Sequence, residues 1–191
     1  MKKYTFLFFG LMCIGQWFVP GKMIADNEST LANGKLFRFK SAPVDPTDPF
    51  RGSYIVLSFD ITAINQKKGE QWKSGDHVFV SIGNDSAGFA AVKEASLTRP
   101  STTSHYVEVA LTHNRYRDHE GVFRIEWPFD RFYMEESKAP AAERIYDSRA
   151  REDSTQVAYA EVRVKDGTAV IEDVKINDRS VVDIVRENNK K

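Results

Sequence analysis

An unbroken apolar run at the N-terminus is the feature that most constrains this chain. Residues 4–19 read YTFLFFGLMCIGQWFV, and the first charged residue after them is Lys22. A membrane-spanning helix needs about 20 apolar residues and a signal-peptide core about 7–15, so this run lies between the two classes. If the run extends to residue 25, with Lys22 reaching toward the headgroups, it is long enough to span a bilayer. Polar residues are scarce around the whole helix circumference, which disfavours a buried core helix.

Three interpretations of this segment compete. A cleaved signal peptide needs small residues at positions −3 and −1 of its cleavage site, and the Met-Ile-Ala sequence at residues 23–25 supplies only the second. A lipoprotein needs a small residue before its cysteine, but Met12 precedes Cys13. We therefore predict an uncleaved single-span anchor in the cell membrane. Lys2 and Lys3 indicate a cytoplasmic N-terminus, so the rest of the chain is expected to be extracytoplasmic, in the periplasm.

Charge and cysteine content exclude several classes of protein. The chain has 191 residues with 27 Lys and Arg against 27 Asp and Glu, but three of the bases and none of the acids precede residue 26. Residues 26–191 therefore hold 24 bases against 27 acids, a net charge of −3. This part of the chain therefore lacks the basic surface expected of a nucleic-acid binder. Cys13 is the only cysteine, which excludes an internal disulfide framework.

From residue 35 onward the apolar pattern has a period of two, which is typical of strands. Residues 53–64, SYIVLSFDITAI, carry one clear apolar face and predict one strand. The strongest hairpin signal joins residues 157–164 to 168–176, because the Asp166-Gly167 pair between them favours a type I′ turn. Further strands are predicted over residues 36–40, 77–82, 89–97, 106–111 and 122–127.

These patterns predict a mainly β (α+β) fold. One short helix is expected over residues 140–149, where a proline opens the first turn and good helix formers follow. Strands and helices do not alternate, which excludes a doubly wound sheet. We predict a compact antiparallel sheet or partly open barrel with that helix, plus the N-terminal transmembrane helix. The organisation is an anchor over residues 1–25, a linker over 26–34 and one β-rich domain over 35–191.

The segment that leads into residues 53–64 is rich in proline and aspartate, reading APVDPTDPFRG over residues 42–52. Its prolines stiffen the chain and keep the preceding residues out of the helical region. Asp45 and Asp48 can each accept backbone N–H bonds in Asx turns, and Arg51 can bridge one of the carboxylates. Gly52 permits a positive φ where the loop meets the strand.

In these residues the chain resembles the GDYXXLXY proteins, a bacterial family. The pattern combines Pro-Val-Asp-Pro at residues 43–46 and Phe-Arg-Gly at 50–52 with Tyr54 and Leu57, and the resemblance extends to the anchor, to residues 131–136 and to 159–167. Ser53 replaces the Asp of the name motif, and Phe59 its final Tyr. Serine can cap a turn, which favours a structural role there. The resemblance implies a membrane-anchored partner of a multi-spanning membrane protein encoded beside it, and implies no activity.

The pattern predicts no cofactor and no metal. Asp45 and Asp48 supply fewer oxygen ligands than Ca²⁺ needs, and Arg51 beside them would compete with a cation, so turn stapling is favoured. His113 and His119 bracket a charged loop without a recognised ligand spacing, which favours an exposed hairpin connection over a metal site.

A second candidate surface is Arg-Phe-Tyr at residues 131–133, because arginine and aromatic side chains are common anchors of protein interfaces. The competing interpretation is an edge strand that leads into a helix. We predict a non-enzymatic binding or accessory domain whose partner is another membrane protein. The alternative is a hydrolase or other enzyme that uses Asp45, Asp48 and Arg51 in a cleft beside the Gly52 turn. The candidate binding residues are Asp45, Asp48, Arg51, Gly52, Tyr54, Leu57, Arg131 and Tyr133.

Overall fold

A computed structural model describes residues 2–43, 54–112, 121–133 and 157–188 of the chain. These residues form a long N-terminal helix, eleven strands and a short C-terminal helix. The helix predicted over residues 140–149 lies outside the described residues. The elements are α1 (Lys2–Asn33), β1 (Lys35–Pro43), β2 (Tyr54–Phe59), β3 (Ala63–Asn65), β4 (His77–Asn84), β5 (Ala90–Ser96), β6 (Tyr106–Thr112), β7 (Val122–Glu126), β8 (Arg131–Tyr133), β9 (Ala158–Lys165), β10 (Thr168–Ile176), β11 (Arg179–Ser180) and α2 (Val181–Asn188).

The strands form two antiparallel sheets, as the mainly β prediction requires. The order is β11-β10-β9-β1-β2-β8 in the six-stranded sheet and β3-β7-β6-β4-β5 in the five-stranded sheet. The single strand predicted over residues 53–64 is wrong in one respect: it divides into β2 and β3, which belong to different sheets. The period-two pattern continues across the crossing, so it does not reveal the break. Trp127 marks the crossing, because its Nε1 donates to the Ile61 carbonyl oxygen at 2.8 Å.

The β9–β10 hairpin joins the two sheets at one corner. Asp166 and Gly167 have φ values of 50° and 95°, so the predicted type I′ turn is confirmed. The Asp166 amide donates to the Ser104 carbonyl at 2.7 Å, and the Gly167 amide donates to the Tyr106 carbonyl at 3.1 Å. The hairpin turn thereby bonds to the start of β6.

The core lies between the sheets and is rich in aromatic rings. Phe39 of β1 meets Phe59, Trp127 and Phe129 edge-on, with ring centroids 5.1–5.7 Å apart. Edge-to-face pairs of this kind contribute about 0.5–1.5 kcal/mol each beyond the area they bury. Alternate valines of β4, β6 and β9 complete the core: Val78, Val80, Val107, Val109, Val162 and Val164.

Residues 26–33, for which the sequence predicts a linker, continue α1 as a helix. One polar side chain of this stretch bonds to the β-domain and another is buried, while most of the others are exposed. Thr30 is buried, and Lys165 of β9 donates from Nζ to Ser29 Oγ at 3.1 Å. The apolar part of α1 and the β-domain are therefore joined by a packed helical segment.

Gly34 forms the junction between α1 and β1. Its amide donates to the Thr30 carbonyl at 2.8 Å, and its own carbonyl accepts from Arg163 Nη1 at 3.1 Å. A Cβ atom at this position would lie 2.4 Å from the Thr30 carbonyl oxygen and 3.2 Å from the backbone nitrogen of Val164. An alanine here would clash with the carbonyl oxygen of the last helical turn and press tightly on β9.

Candidate functional site

The structure places the predicted site residues in different surroundings. Asp45, Asp48, Arg51 and Gly52 lie outside the described residues, as do His113 and His119. Tyr54 opens β2 and pairs across the strands with Tyr133 of β8, while Leu57 is a core residue with 3% of its surface exposed. Arg131 and Tyr133 are both exposed on β8.

Arg131 and Tyr133 border a groove with a volume of about 660 Å³. Its lining includes residues 131–133 of β8 and residues 167–171 of the β9–β10 hairpin and β10. His77 and Glu108 of the five-stranded sheet border it as well, and Asn27 of α1 also contributes to its lining. Sequence reasoning missed all of these residues except the β8 strand, because they are distant along the chain. We refer to this feature as the β8–β10 groove.

The charges of the β8–β10 groove are arranged in two exposed pairs. Glu108 Oε1 lies 3.1 Å from His77 Nδ1, and Asp130 Oδ1 lies 3.7 Å from Arg131 Nε on the β8 side. Exposed pairs of this kind contribute about 0–1 kcal/mol to stability. The lining of the groove therefore includes one guanidinium group and one carboxylate.

The β8–β10 groove lies beside the end of the apolar helix. Asn27 lines the groove, and one turn earlier Lys22 Nζ bonds to Asp26 Oδ2 at 2.6 Å, in the first charged turn after the apolar run. Five residues of α-helix separate Lys22 from Asn27, which is about 7.5 Å along the axis. The groove is therefore close to the point where the polar part of α1 begins.

A second cluster, centred on Glu70, holds the β3–β4 connection against β5. Its carboxylate accepts from Trp72 Nε1 at 2.6 Å, from Ser96 Oγ at 2.5 Å and from the Leu97 amide at 2.9 Å. Desolvation opposes ionisation of this group, but the bonds from Ser96, Trp72 and Leu97 together outweigh it and hold the pKa of the Glu70 carboxyl below its ordinary value. Because the Glu70 carboxylate accepts three hydrogen bonds from the protein, its role is structural. The Glu-x-Trp spacing is a sequence signal that could have suggested it.

A third polar cluster lies on the outer side of the six-stranded sheet. The side chain of Glu161 is only 9% exposed and lies 2.9 Å from Lys175 Nζ and 3.6 Å from Arg38 Nε. Close by, burial raises the pKa of the Asp173 carboxyl, although Ser180 Oγ donates to it at 2.9 Å. Among the described residues, no group of three or more His, Cys, Asp or Glu side chains is arranged to hold a metal ion.

A β-rich domain packed onto the end of an N-terminal apolar helix is the class of protein that these elements define. The segment Phe8–Asn33 is long and apolar enough to cross a membrane, a test that a signal sequence also passes. The family model described as GDYXXLXY protein matches residues 16–174, from the middle of α1 to β10. The chain therefore belongs to the GDYXXLXY family, as its motifs predict. No curated protein and no solved structure matches it.

Proposed function

We propose that this chain is a membrane-anchored, non-enzymatic binding or accessory domain, held by a single uncleaved span, extracytoplasmic, and partnered by another membrane protein. The observation that carries the proposal is the exposure of α1. Of the fourteen large hydrophobic side chains that are exposed among the described residues, eleven lie on this helix between residues 4 and 24. A soluble monomer rarely leaves so large a contiguous apolar surface in water, so a bilayer is the expected environment.

The packing of α1 supports retention of the anchor. Residues 26–33 are helical and contact β9, so the span and the domain form one continuous path, with no loose tether between them. Lys2 and Lys3 favour a cytoplasmic N-terminus, which directs the β-domain outward. The Met-Ile-Ala sequence at residues 23–25 is a poor cleavage site.

The β8–β10 groove supports an accessory role. It contains Arg131 and Tyr133, residue types that anchor protein interfaces, and it lies within two helical turns of Lys22. A partner embedded in the same bilayer can reach the groove in its folded state, because the groove lies close to the end of the apolar helix. The family resemblance, which implies a neighbouring multi-spanning protein, points the same way.

Membrane fractionation with intact-mass measurement tests the anchor. The full chain should remain in the pellet after alkaline carbonate extraction and keep its complete mass. Ile14→Lys combined with Phe18→Lys should release it, because each charge near the centre of a span costs about 2.5–3.5 kcal/mol. The matched control, alanine at both positions, should stay in the pellet. A mature protein lacking about the first 25 residues would refute the anchor.

Co-purification tests the partner. The wild-type chain, extracted in mild detergent, should bring down a membrane protein at a fixed stoichiometry. Recovery of the chain only as a lone monomer would refute the accessory role.

A further inference from the structure

We propose that a small polar groove on the outer face of the five-stranded sheet binds a hydroxylated organic anion of the size of a sugar acid or a sugar phosphate. The groove has a volume of about 220 Å³ and is lined by residues of β4, β5 and the segment 98–102. It shares no lining residue with the β8–β10 groove, and it needs neither the anchor nor a partner protein. We refer to it as the β5 groove.

Two neighbouring strands form the floor of the β5 groove. Phe79 and Ser81 of β4 pair across the strands with Ser96 and Glu94 of β5, and all four residues line the groove. Side chains of a strand alternate between its two faces. Val80, between Phe79 and Ser81, is fully buried in the core, so these four side chains lie on the opposite, outer face of the sheet. The floor therefore combines an aromatic ring with hydroxyl and carboxylate groups.

The charges of the β5 groove favour an anion. Its lining contains Lys67 and Arg99 against the single carboxylate of Glu94, a formal charge of +1. This sign is opposite to that of the body as a whole, because residues 26–191 carry a net charge of −3. The Lys67 ammonium is already paired, with its Nζ 2.5 Å from Glu94 Oε1. Arg99 is therefore the cation that remains for a ligand.

Arg99 is held in place without an acceptor for its N–H groups. Its Cζ lies 5.3 Å from the ring centroid of Tyr106, and that ring is buried and meets Phe79 edge-on at 5.7 Å. Stacking uses the face of a guanidinium and leaves its N–H groups available at the edge. No carboxylate of the described residues pairs with Arg99. A planar donor held in this way suits the two oxygens of a carboxylate or phosphate group, and less side-chain entropy is lost on binding.

The hydroxyl groups of the β5 groove indicate the rest of the ligand. Ser81, Ser101 and Thr102 line it, and their hydroxyls make no hydrogen bond within the part of the chain that the structure describes. Each can donate one bond and accept others, as the hydroxyls of a sugar do. Ser96 differs from these three, because its Oγ already donates to Glu70 Oε1 at 2.5 Å.

The combination of groups selects among ligand classes. Pockets for drug-sized ligands measure about 300–1,000 Å³, so a groove of about 220 Å³ suits a smaller molecule. A bare inorganic anion would bind Arg99 but leave the hydroxyls and the Phe79 ring without contacts. A neutral sugar would leave Arg99 without an acceptor. A hydroxylated organic anion uses all three.

Isothermal titration calorimetry on the full chain in mild detergent tests this site. The probes are glucuronate, glucose 6-phosphate, neutral glucose and inorganic phosphate. Glucuronate or glucose 6-phosphate should bind at one site per chain, about tenfold or more tighter than glucose, and the stronger of the two identifies the anionic group. Absence of binding by both, or equal binding of glucose, would overturn the proposal. Inorganic phosphate that binds as tightly as glucose 6-phosphate would rule out a hydroxylated ligand.

Substitution of Arg99 tests whether the measured binding occurs in the β5 groove. Arg99→Gln should weaken binding of the preferred probe about tenfold or more, and Arg99→Lys should also weaken it, because lysine keeps the charge but lacks the planar fork. The matched control is Arg124→Gln, at an exposed position of β7 outside the groove, which should bind as the wild type does. Thermal unfolding in the same detergent checks that each variant is folded. Unchanged binding by both Arg99 variants would place the ligand elsewhere and overturn the assignment.

Glu94→Gln supplies a readout with the opposite sign. The substitution keeps the size of the side chain, removes the carboxylate and releases Lys67 from its ion pair. Removal of one exposed charge about 4 Å from the ligand is worth about 1 kcal/mol in water, so the preferred probe should bind about fivefold more tightly. Weaker binding by this variant, at an unchanged unfolding temperature, would contradict the electrostatic basis of the site. None of these outcomes bears on the accessory function, which membrane fractionation and co-purification test separately.

Discussion

Replacement of Gly34 by alanine should loosen the union of the anchor with the β-domain. The new Cβ would lie 2.4 Å from the Thr30 carbonyl oxygen, 3.2 Å from Arg163 Cβ and 3.2 Å from the Val164 amide nitrogen. Two of these neighbours are backbone atoms, so the clash is relieved only if residue 34 shifts relative to the last turn of α1 and to β9. The move should weaken the 2.8 Å bond from the Gly34 amide to Thr30.

The expected magnitude follows from these two effects. Overpacking a tight site costs about 1–3 kcal/mol, and a lost hydrogen bond costs about 0.5–1.5 kcal/mol. A combined loss of about 2–4 kcal/mol lowers Tm by about 4–16 °C in a chain of this size. The assay is thermal unfolding of the full chain in mild detergent, followed by circular dichroism in the β-sheet region.

Gly21→Ala is the matched control, because it makes the same chemical change within α1, at a position where a Cβ would have nothing within 4 Å. Alanine favours helix over glycine by about 1 kcal/mol, so this variant should not lower Tm. If Gly34→Ala unfolds at or above the wild-type temperature, the close helix–strand junction is not a determinant of stability and the reasoning is refuted.

Three further variants test the role of individual side chains by thermal unfolding. Glu70→Gln should destabilise the fold by about 1–3 kcal/mol, since it weakens the bonds from Trp72 and Ser96. Because the pKa of Glu70 is lower in the folded state, its contribution is lost as pH falls through that value, so the gap between wild type and variant should shrink in acid; a constant gap would contradict this. The pKa of Asp173 is raised on folding, so its carboxylate becomes unfavourable as pH rises through the folded value, and Asp173→Asn should raise Tm at pH 7 and lose that advantage in acid. Leu57→Ala should cost about 2–5 kcal/mol because the side chain is buried, and unchanged stability would return Leu57 to the candidate binding residues.

Local chemistry made part of the fold predictable from sequence. The Asp166-Gly167 turn was predictable, because the residues that select a type I′ turn lie within the turn itself. Strand positions such as those of β4 and β6 were predictable because one face is buried and period-two alternation records it. The division of residues 53–64 was not, since the same alternation fits a strand in either sheet.

The full length of α1, by contrast, could not be predicted from local sequence. Residues 26–33 are polar, and polarity between two ordered segments normally indicates a linker. They are helical in the folded chain because Thr30 is buried against the domain and Lys165 bonds to Ser29. These partners lie more than 130 residues further along the chain, so no local window contains them.

The sequence by itself determined the apolar N-terminal segment, the β-rich class of the domain, the β9–β10 hairpin and membership of the GDYXXLXY family. Each of these depends on the composition, periodicity or motif of a short stretch. Only the tertiary structure decided how the helix meets the domain and which residues surround the β8–β10 groove. Arg131–Tyr133 were candidates from sequence, but His77, Glu108 and the edge of β10 came beside them only through the pairing of distant strands. Long-range pairing is governed by burial shared between sheets, and a one-dimensional pattern records burial without recording the neighbour that provides it.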